Sequence, residues 1–298
     1  MMFFMDAKEN VYARYGGRDG RNADNRQSLA GLRATLQSVL KMHARAETDR
    51  EFAAKSQPSP KFVRDEIGMR GKCMHCHQIR EAYNSKLKKD GAWTRDLVWR
   101  YPPPDNLGVT LDVDKSNVIK SVPENSPAAK AGLRAGDIVR RLGIIPIHSF
   151  GDAQFALDRA APKGSIAIAW QRGAQTMNGD LELPEGWRKS DISWRHSTRS
   201  MVPSVRLSGN DLAAAEKTAL GFTPKQLAFR QSEFVSAQAK TAGIRAGDII
   251  FGLDDQTLNM DSFELIHHVH RTYLVGDTVT VNLLREGKRM DLPMKLAK

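Results

Sequence analysis

The chain has 298 residues and two cysteines, and both cysteines lie in "GKCMHCHQIR" (71–80) with a histidine directly behind the second. Three chemistries use that spacing. In the first, Cys73 and Cys76 form thioethers with the vinyl groups of haem c, and His77 is the proximal ligand to the iron. Met69 and His43 are then candidates, by residue type alone, for the sixth position. In the second, Cys73 and Cys76 are a dithiol couple, with Arg70, Lys72 and Arg80 near enough in sequence to stabilise a thiolate. In the third, Cys73, His75, Cys76 and His77 hold zinc or copper. Four ligands within five residues do not readily close a tetrahedron, so further ligands would be needed. Cys73, Cys76 and His77 are thus the candidate cofactor-binding residues. A second cluster, His267, His268 and His270 in "ELIHHVHRTY", falls on a helix candidate. There the residues fit contact with a ligand or with water better than a metal.

The elements that must position these residues differ along the chain. "MMFFM" and "NVYARY" read as two short strands around a "DAKE" turn. Ser28 is an N-cap for "LAGLRATLQSVLKMHARAE", in which Leu29, Leu32, Leu36, Val39 and Leu40 form one apolar face at helical spacing. A hairpin plus one helix buries too little to stand alone. Residues 48–104 are polar and punctuated by proline ("SQPSP", "YPPPD"), and "HQIREAYNSKLKK" is a helix candidate.

From Asn106 onward, short β-rich runs alternate with small-residue turns, and the pattern occurs twice. "AGLRAGDIV" (131–139) returns as "AGIRAGDII" (242–250), with seven of nine positions identical. "SFGDAQFALDRA" and "SFELIHHVHRTY" follow at matching places, each a helix candidate leading to a glycine turn and a strand. In the repeat, a helix ends at Gly132, where the left-handed conformation is free of a Cβ penalty. Gly136 makes the turn into the next strand. Asp137 and Asp248 accept backbone N–H bonds in that turn. This is structural work, and no catalytic residue is assigned.

"AAKAGLRAGDIVRRLGIIPIHSF" resembles the signature of a bacterial-type PDZ domain, and "AKTAGIRAGDIIFGLDDQTLNMDSF" resembles a second. The resemblance implies a small β-sandwich or partly open barrel with a flanking helix. It also implies capture of a C-terminal or extended peptide as a strand added between a strand and that helix. The family's carboxylate loop has the form x-Φ-G-Φ, onto which Asn106, Leu107, Gly108 and Val109 map. Leu107, Gly108 and Val109 are the candidate peptide-binding residues, with a groove helix at about Asp152 to Ala160. In the second copy the loop is expected in "GFTPKQLAF", which has Pro224 and no glycine at the matching place.

More widely, "VYARYGGRD", "SLAGLRATLQSVLKMH", "KCMHCHQIREA" and "WRYPPPDNLGVTLDV", in that order before two PDZ-like copies, are similar to a bacterial family of thioredoxin-like/PDZ fusion proteins. The resemblance implies an α+β chain in five parts. Residues 1–47 are a C-terminal hairpin-helix remnant of a thioredoxin-like fold, and 48–104 are a CxxCH-bearing segment. Residues 105–184 are a first PDZ-like domain, 185–218 a linker and 219–298 a second PDZ-like domain. It further implies a periplasmic or cell-envelope location for a full-length exported protein. "MMFFMDAKEN" lacks the basic region and cleavage site of a secretory signal, so the chain is expected to be a truncated or internally initiated product.

The expected function is a peptide- or protein-binding adaptor tied to a redox or haem-c-bearing segment. The alternative is a redox protein, either a c-type haem electron carrier or a CxxC thiol oxidoreductase, whose PDZ domains only dock partners. PDZ domains often accompany a trypsin-like protease. Here no "GNSGG"-like stretch, Gly-x-Ser-x-Gly elbow or His-Glu-x-x-His occurs, and 104 residues before the first copy are too few for two β-barrels. Net charge is +11, which favours acidic partners in general. Basic clusters such as Lys86, Lys88 and Lys89 are short and carry no aromatic stripe, against nucleic acid. No run of about 18 apolar residues exists to span a membrane.

Overall fold

A computed structural model describes residues 1–20, 22, 24–44, 54–55, 63, 65 and 75–298. These fall into two units, Met1–Ser190 and Asp191–Lys298.

The first unit opens with the expected hairpin, β1 (Met2–Met5) against β2 (Asn10–Tyr15), with β3 (Ala54–Lys55) on the other edge of β2. The turn is held by Asp6, whose carboxylate accepts the Lys8 and Asn10 N–H groups, each at 2.9 Å. Helix α1 (Leu29–Ala44) begins where expected, because the Ser28 Oγ accepts the Gly31 N–H at 2.9 Å.

Its orientation differs from the sequence expectation. Leu29, Leu36 and Leu40 are 83%, 42% and 59% exposed, while Gly31, Thr35 and Val39 face inward. The small and hydroxylated stripe permits a closer approach than leucines would. The Thr35 hydroxyl bonds the Gly31 carbonyl at 3.0 Å and Ser116 Oγ at 3.0 Å, and Ser28 Oγ reaches the Val113 carbonyl at 3.2 Å. Val39 packs with Tyr12 and Ala13.

Helix α2 (Cys76–Lys89) ends in Lys86, Lys88 and Lys89, which complement the negative end of the helix dipole. A 3₁₀ turn, Pro104–Leu107, then leads into the first repeat copy. There β4 (Thr110–Leu111) pairs with β5 (Ile119–Ser121), and α3 (Pro127–Lys130) follows. A four-stranded antiparallel sheet runs β7-β6-β8-β9, from β6 (Ile138–Leu142), β7 (Ile145–Pro146), β8 (Gly164–Arg172) and β9 (Gln175–Leu183). Helix α4 (Phe150–Asp158) lies between β7 and β8 in the chain. Leu107, Ile119, Val139, Leu157, Ile168, Trp170 and Leu181 form the shared core.

The second unit is one antiparallel sheet ordered β10-β11-β12-β13-β14. Its strands are β10 (Gly209–Asp211), β11 (Phe229–Gln231), β12 (Ile249–Leu253), β13 (Thr278–Arg285) and β14 (Lys288–Lys295). Helices α5 (Ala214–Ala219), α6 (Ala237–Thr241) and α7 (Ser262–Thr272) complete it. Phe229, Ile250, Leu253, Leu265, Val269, Val281 and Leu283 belong to its core. The repeat extends to irregularities. β6 is bulged at Val139/Arg141 where it meets β8, and β12 is bulged at Ile250/Gly252 where it meets β13.

Candidate functional site

Each repeat copy is locked by the same ionic fork. Asp137 is 1% exposed. It accepts the Arg134 N–H at 2.8 Å and both forks of Arg172 at 2.8 Å, while Arg172 also reaches the Gly132 carbonyl at 2.7 Å. Asp248 repeats this with Arg245 N–H at 2.8 Å, Arg285 at 2.8 and 2.7 Å, and the Gly243 carbonyl at 2.7 Å. Bidentate guanidinium–carboxylate pairs are strong and geometrically specific. Burial alone would raise the Asp137 carboxyl, but the Arg172 fork and the Arg134 N–H together hold it below the ordinary carboxylate range. Both aspartates fulfil the turn role expected of them. The arginines were missed, although each ends a strand of its copy and is followed within two residues by a glycine.

The candidate loop of the first copy runs from the last residue of the 3₁₀ turn, Leu107, to the start of β4. Leu107 and Val109 are 0% and 4% exposed and belong to the core beneath the loop. Gly108 adopts φ 83°. Its N–H is donated to the Asp105 carbonyl at 3.0 Å, and that of Val109 to the Pro104 carbonyl at 3.1 Å. Asn106 ties the loop to the Trp187 carbonyl at 2.8 Å. The groove helix begins two residues earlier than expected, with Ser149 as its N-cap.

In the second copy the loop is not in "GFTPKQLAF". Strand register places it elsewhere. Leu111 faces Ile119, whose N–H goes to the Asp137 carbonyl. Gly209 faces Gln231, whose N–H goes to the Asp248 carbonyl. β10 is therefore the counterpart of β4, and Val205-Arg206-Leu207 takes the place of Leu107-Gly108-Val109. The Arg206 carbonyl accepts the Ser236 hydroxyl at 2.9 Å.

The histidine cluster does not converge. His267 Nδ1 lies 3.3 Å from Asp191 Oδ2, whereas His268 turns inward beside the Tyr273 ring. Burial lowers the His270 imidazole, against the pull of Asp191.

Cys73 lies outside the described residues, and Cys76 contributes the first residue of α2. His77 is half-buried, with Glu81 one turn further along α2 and the His75 ring 5.5 Å away. His77 and Glu81 are residue types that bind metal, but a structural zinc site takes four ligands.

Family comparison matches PDZ domain models to residues 118–172 and to residues 233–296. The chain therefore carries two PDZ domains in tandem within a mixed α/β fold. Among similar curated proteins, a probable periplasmic serine endoprotease DegP-like of Pseudomonas fulva (strain 12-X) is 26% identical over 193 residues, covering 63% of this chain and 39% of that protein. The periplasmic serine endoprotease DegP of Escherichia coli (strain K12) is 25% identical over 148 residues, covering 50% of this chain and 28% of that protein. An HtrA-type protease solved with a decapeptide shares 15% identity, covering 60% of this chain and 54% of that one. Its TM-score of 0.31 is too low for the superposition to bear on function. The chain thus spans less than half the length of the curated relatives it matches.

These relatives correct the expected function. They are named for periplasmic proteolysis, not for redox chemistry or haem. The reading as an adaptor tied to a redox or haem-c segment gives way, and so does the alternative of an electron carrier or thiol oxidoreductase. The thioredoxin-like and CxxCH parts of the wider resemblance gain no support, since the family matches fall on the two PDZ domains. Among the described residues, no helix is long and apolar enough to cross a membrane.

Proposed function

We propose that this chain serves periplasmic proteolysis of the DegP/HtrA kind. Its PDZ domains hold extended polypeptides, or polypeptide ends, as added strands and so present them to a serine endoprotease. The observation that carries this reading is the duplicated PDZ architecture. A short strand lies beside a helix in each copy, both copies are braced by the same buried Asp–Arg fork, and the curated relatives are periplasmic serine endoproteases. Strand addition supplies affinity through main-chain hydrogen bonds and leaves specificity to pockets for alternate side chains. That suits a partner drawn from many unfolded substrates. Residues Leu107, Gly108 and Val109 are the proposed contact for a terminal carboxylate in the first domain. To act as donors, Gly108 and Val109 must release the Asp105 and Pro104 carbonyls they now bond.

The test is a titration of the full chain with fluorescein-labelled decapeptides bearing free or amidated C-termini. A parallel assay follows β-casein cleavage by a DegP-type protease with and without the chain. We expect micromolar binding that weakens about tenfold on amidation, as for loss of one charge-assisted hydrogen bond, and an altered cleavage rate. Absence of binding by either domain would refute the reading.

A further inference from the structure

Phe150, Gln154 and Leu157 lie on one face of α4, a turn apart, with Leu157 packed into the domain core; on the reading of this domain as a peptide groove, an added strand would pass beside Phe150 and Gln154. Phe150 belongs to the domain core and is 6% exposed; an open groove would leave the polar Gln154 beside it in water, yet Gln154 is 4% exposed. What covers them is the protein's own chain. Gly17 approaches so closely that a Cβ on it would lie 2.5 Å from Cδ1 of Phe150 and 3.0 Å from Oε1 of Gln154. From the opposite side, a Cβ on Gly151 would lie 2.8 Å from the Gly16 carbonyl oxygen and 3.0 Å from that of Arg14. Tyr15, Gly16 and Arg26 line one small cavity together with Leu111, Asp112 and Val113 on the strand side and Ser149 and Phe150 on the helix side. The segment after β2 is therefore wedged between the end of β4 and the start of α4.

Its polar contacts address the groove walls. The Arg14 N–H donates to Asp152 Oδ1 at 2.9 Å, and the Ser149 hydroxyl donates to the Arg14 carbonyl. The Arg14 guanidinium lies 3.5 Å from the centroid of the Phe155 ring and 3.4 Å from the Asp152 carboxylate. The Arg26 guanidinium sits 4.6 Å from the Phe150 ring centroid and 3.0 Å from Asp105, at the foot of the carboxylate loop. Arg26 is 7% exposed. Both ends of the groove are thus engaged, and adjacent glycines at 16 and 17 let bare backbone lie against the helix. In the second domain the residues at the same distance from the helix N-cap, Ser262 and Ile266, stay only half-buried.

We infer that Arg14–Gly17, together with Arg26, is a built-in occupant of the first PDZ groove, so that a peptide binds there only by displacing it. This rests on the reading of that domain as a peptide groove and adds its regulation. A site open for a fraction of the time binds with its intrinsic affinity reduced by that fraction.

The experiment compares the full wild-type chain with Gly17→Leu, which meets the Phe150 ring, and Gly151→Ala, which meets the segment from the helix side. Two readouts are taken on each protein: hydrogen exchange over residues 105–113 and 150–158, and binding of a fluorescein-labelled decapeptide with a free apolar C-terminus. Circular dichroism confirms folding, and the second variant stands in if one fails to fold. We expect faster exchange in both stretches and at least tenfold tighter peptide binding, footprinted to the same residues. Unchanged exchange in both variants, or equal affinity with exchange released, would overturn the inference. Released exchange with no peptide bound by any of the three proteins would leave the closure standing and bring down the peptide-capture reading instead.

Discussion

Two buried aspartates in the first unit respond to pH in opposite ways. Asp137 is held below the ordinary carboxylate range in the folded protein, so its contribution is present above about pH 4 and is lost as pH falls through the folded value. Asp152 is pushed up to about 7, first by burial and against the pull of Arg14, whose N–H and guanidinium face it from β2 while the His148 N–H faces it from its own side. Its folded state holds a proton that the unfolded chain has released, so stability is full below about pH 4 and declines as pH rises through 7. Burial also lowers Arg14, so this ion pair costs both partners solvation and is weak support for stability. We expect Asp152→Asn to abolish the loss of stability between pH 4 and 7, whose slope cannot exceed about 1.4 kcal/mol per pH unit for one proton. Asp137→Ala should cost about 2 kcal/mol at neutral pH, the worth of hydrogen bonds to a charged group. Urea unfolding across pH checks both. A wild-type profile flat from pH 4 to 7 would contradict the Asp152 assignment.

At the level of elements, α1 gives the sharpest contrast between pattern and packing. Its leucines repeat at helical spacing, yet the helix docks through Gly31, Thr35 and Val39 because a backbone-close contact with Val113 and Ser116 needs small residues. Val39→Glu should therefore cost about 2–4 kcal/mol, while Leu36→Glu should stay within about 0.5 kcal/mol. Equal losses in thermal melts would restore the leucine face. Much of the architecture was legible. The β1–β2 hairpin, the Ser28 cap and the doubled glycine–aspartate turn follow from local chemistry that needs no distant partner. β10 was not legible, because Gly209, Asn210 and Asp211 are poor strand formers and pair only through backbone groups with β11. The second carboxylate-loop position was misplaced for the same reason. Nor was the occupied groove readable, since Arg14 meets Asp152 across 138 positions of sequence and two glycines carry no periodic signal. The Arg172 and Arg285 forks were readable in principle. They stand 35 and 37 residues after their aspartates, a regularity the repeat exposes once both strand ends are compared.

At the scale of the whole molecule, each of the two units has a core of its own among the described residues. The carboxylates that brace them are sequestered, with Arg172 and Arg285 partly exposed beside them, whereas most of the excess positive charge is spread over the surface. Dissolved ions reach these two populations unequally. Repulsion among surface lysines and arginines, with a net charge of +11, is screened over roughly 8–10 Å at physiological ionic strength. The carboxylates of Asp137 and Asp248, 1% and 2% exposed, feel that screening far less. Adding sodium chloride should relieve the repulsion and leave the braces intact, so the melting temperature should climb from dilute buffer to brine. A protein built this way is better suited to an osmotically changeable surrounding than its high isoelectric point alone would suggest.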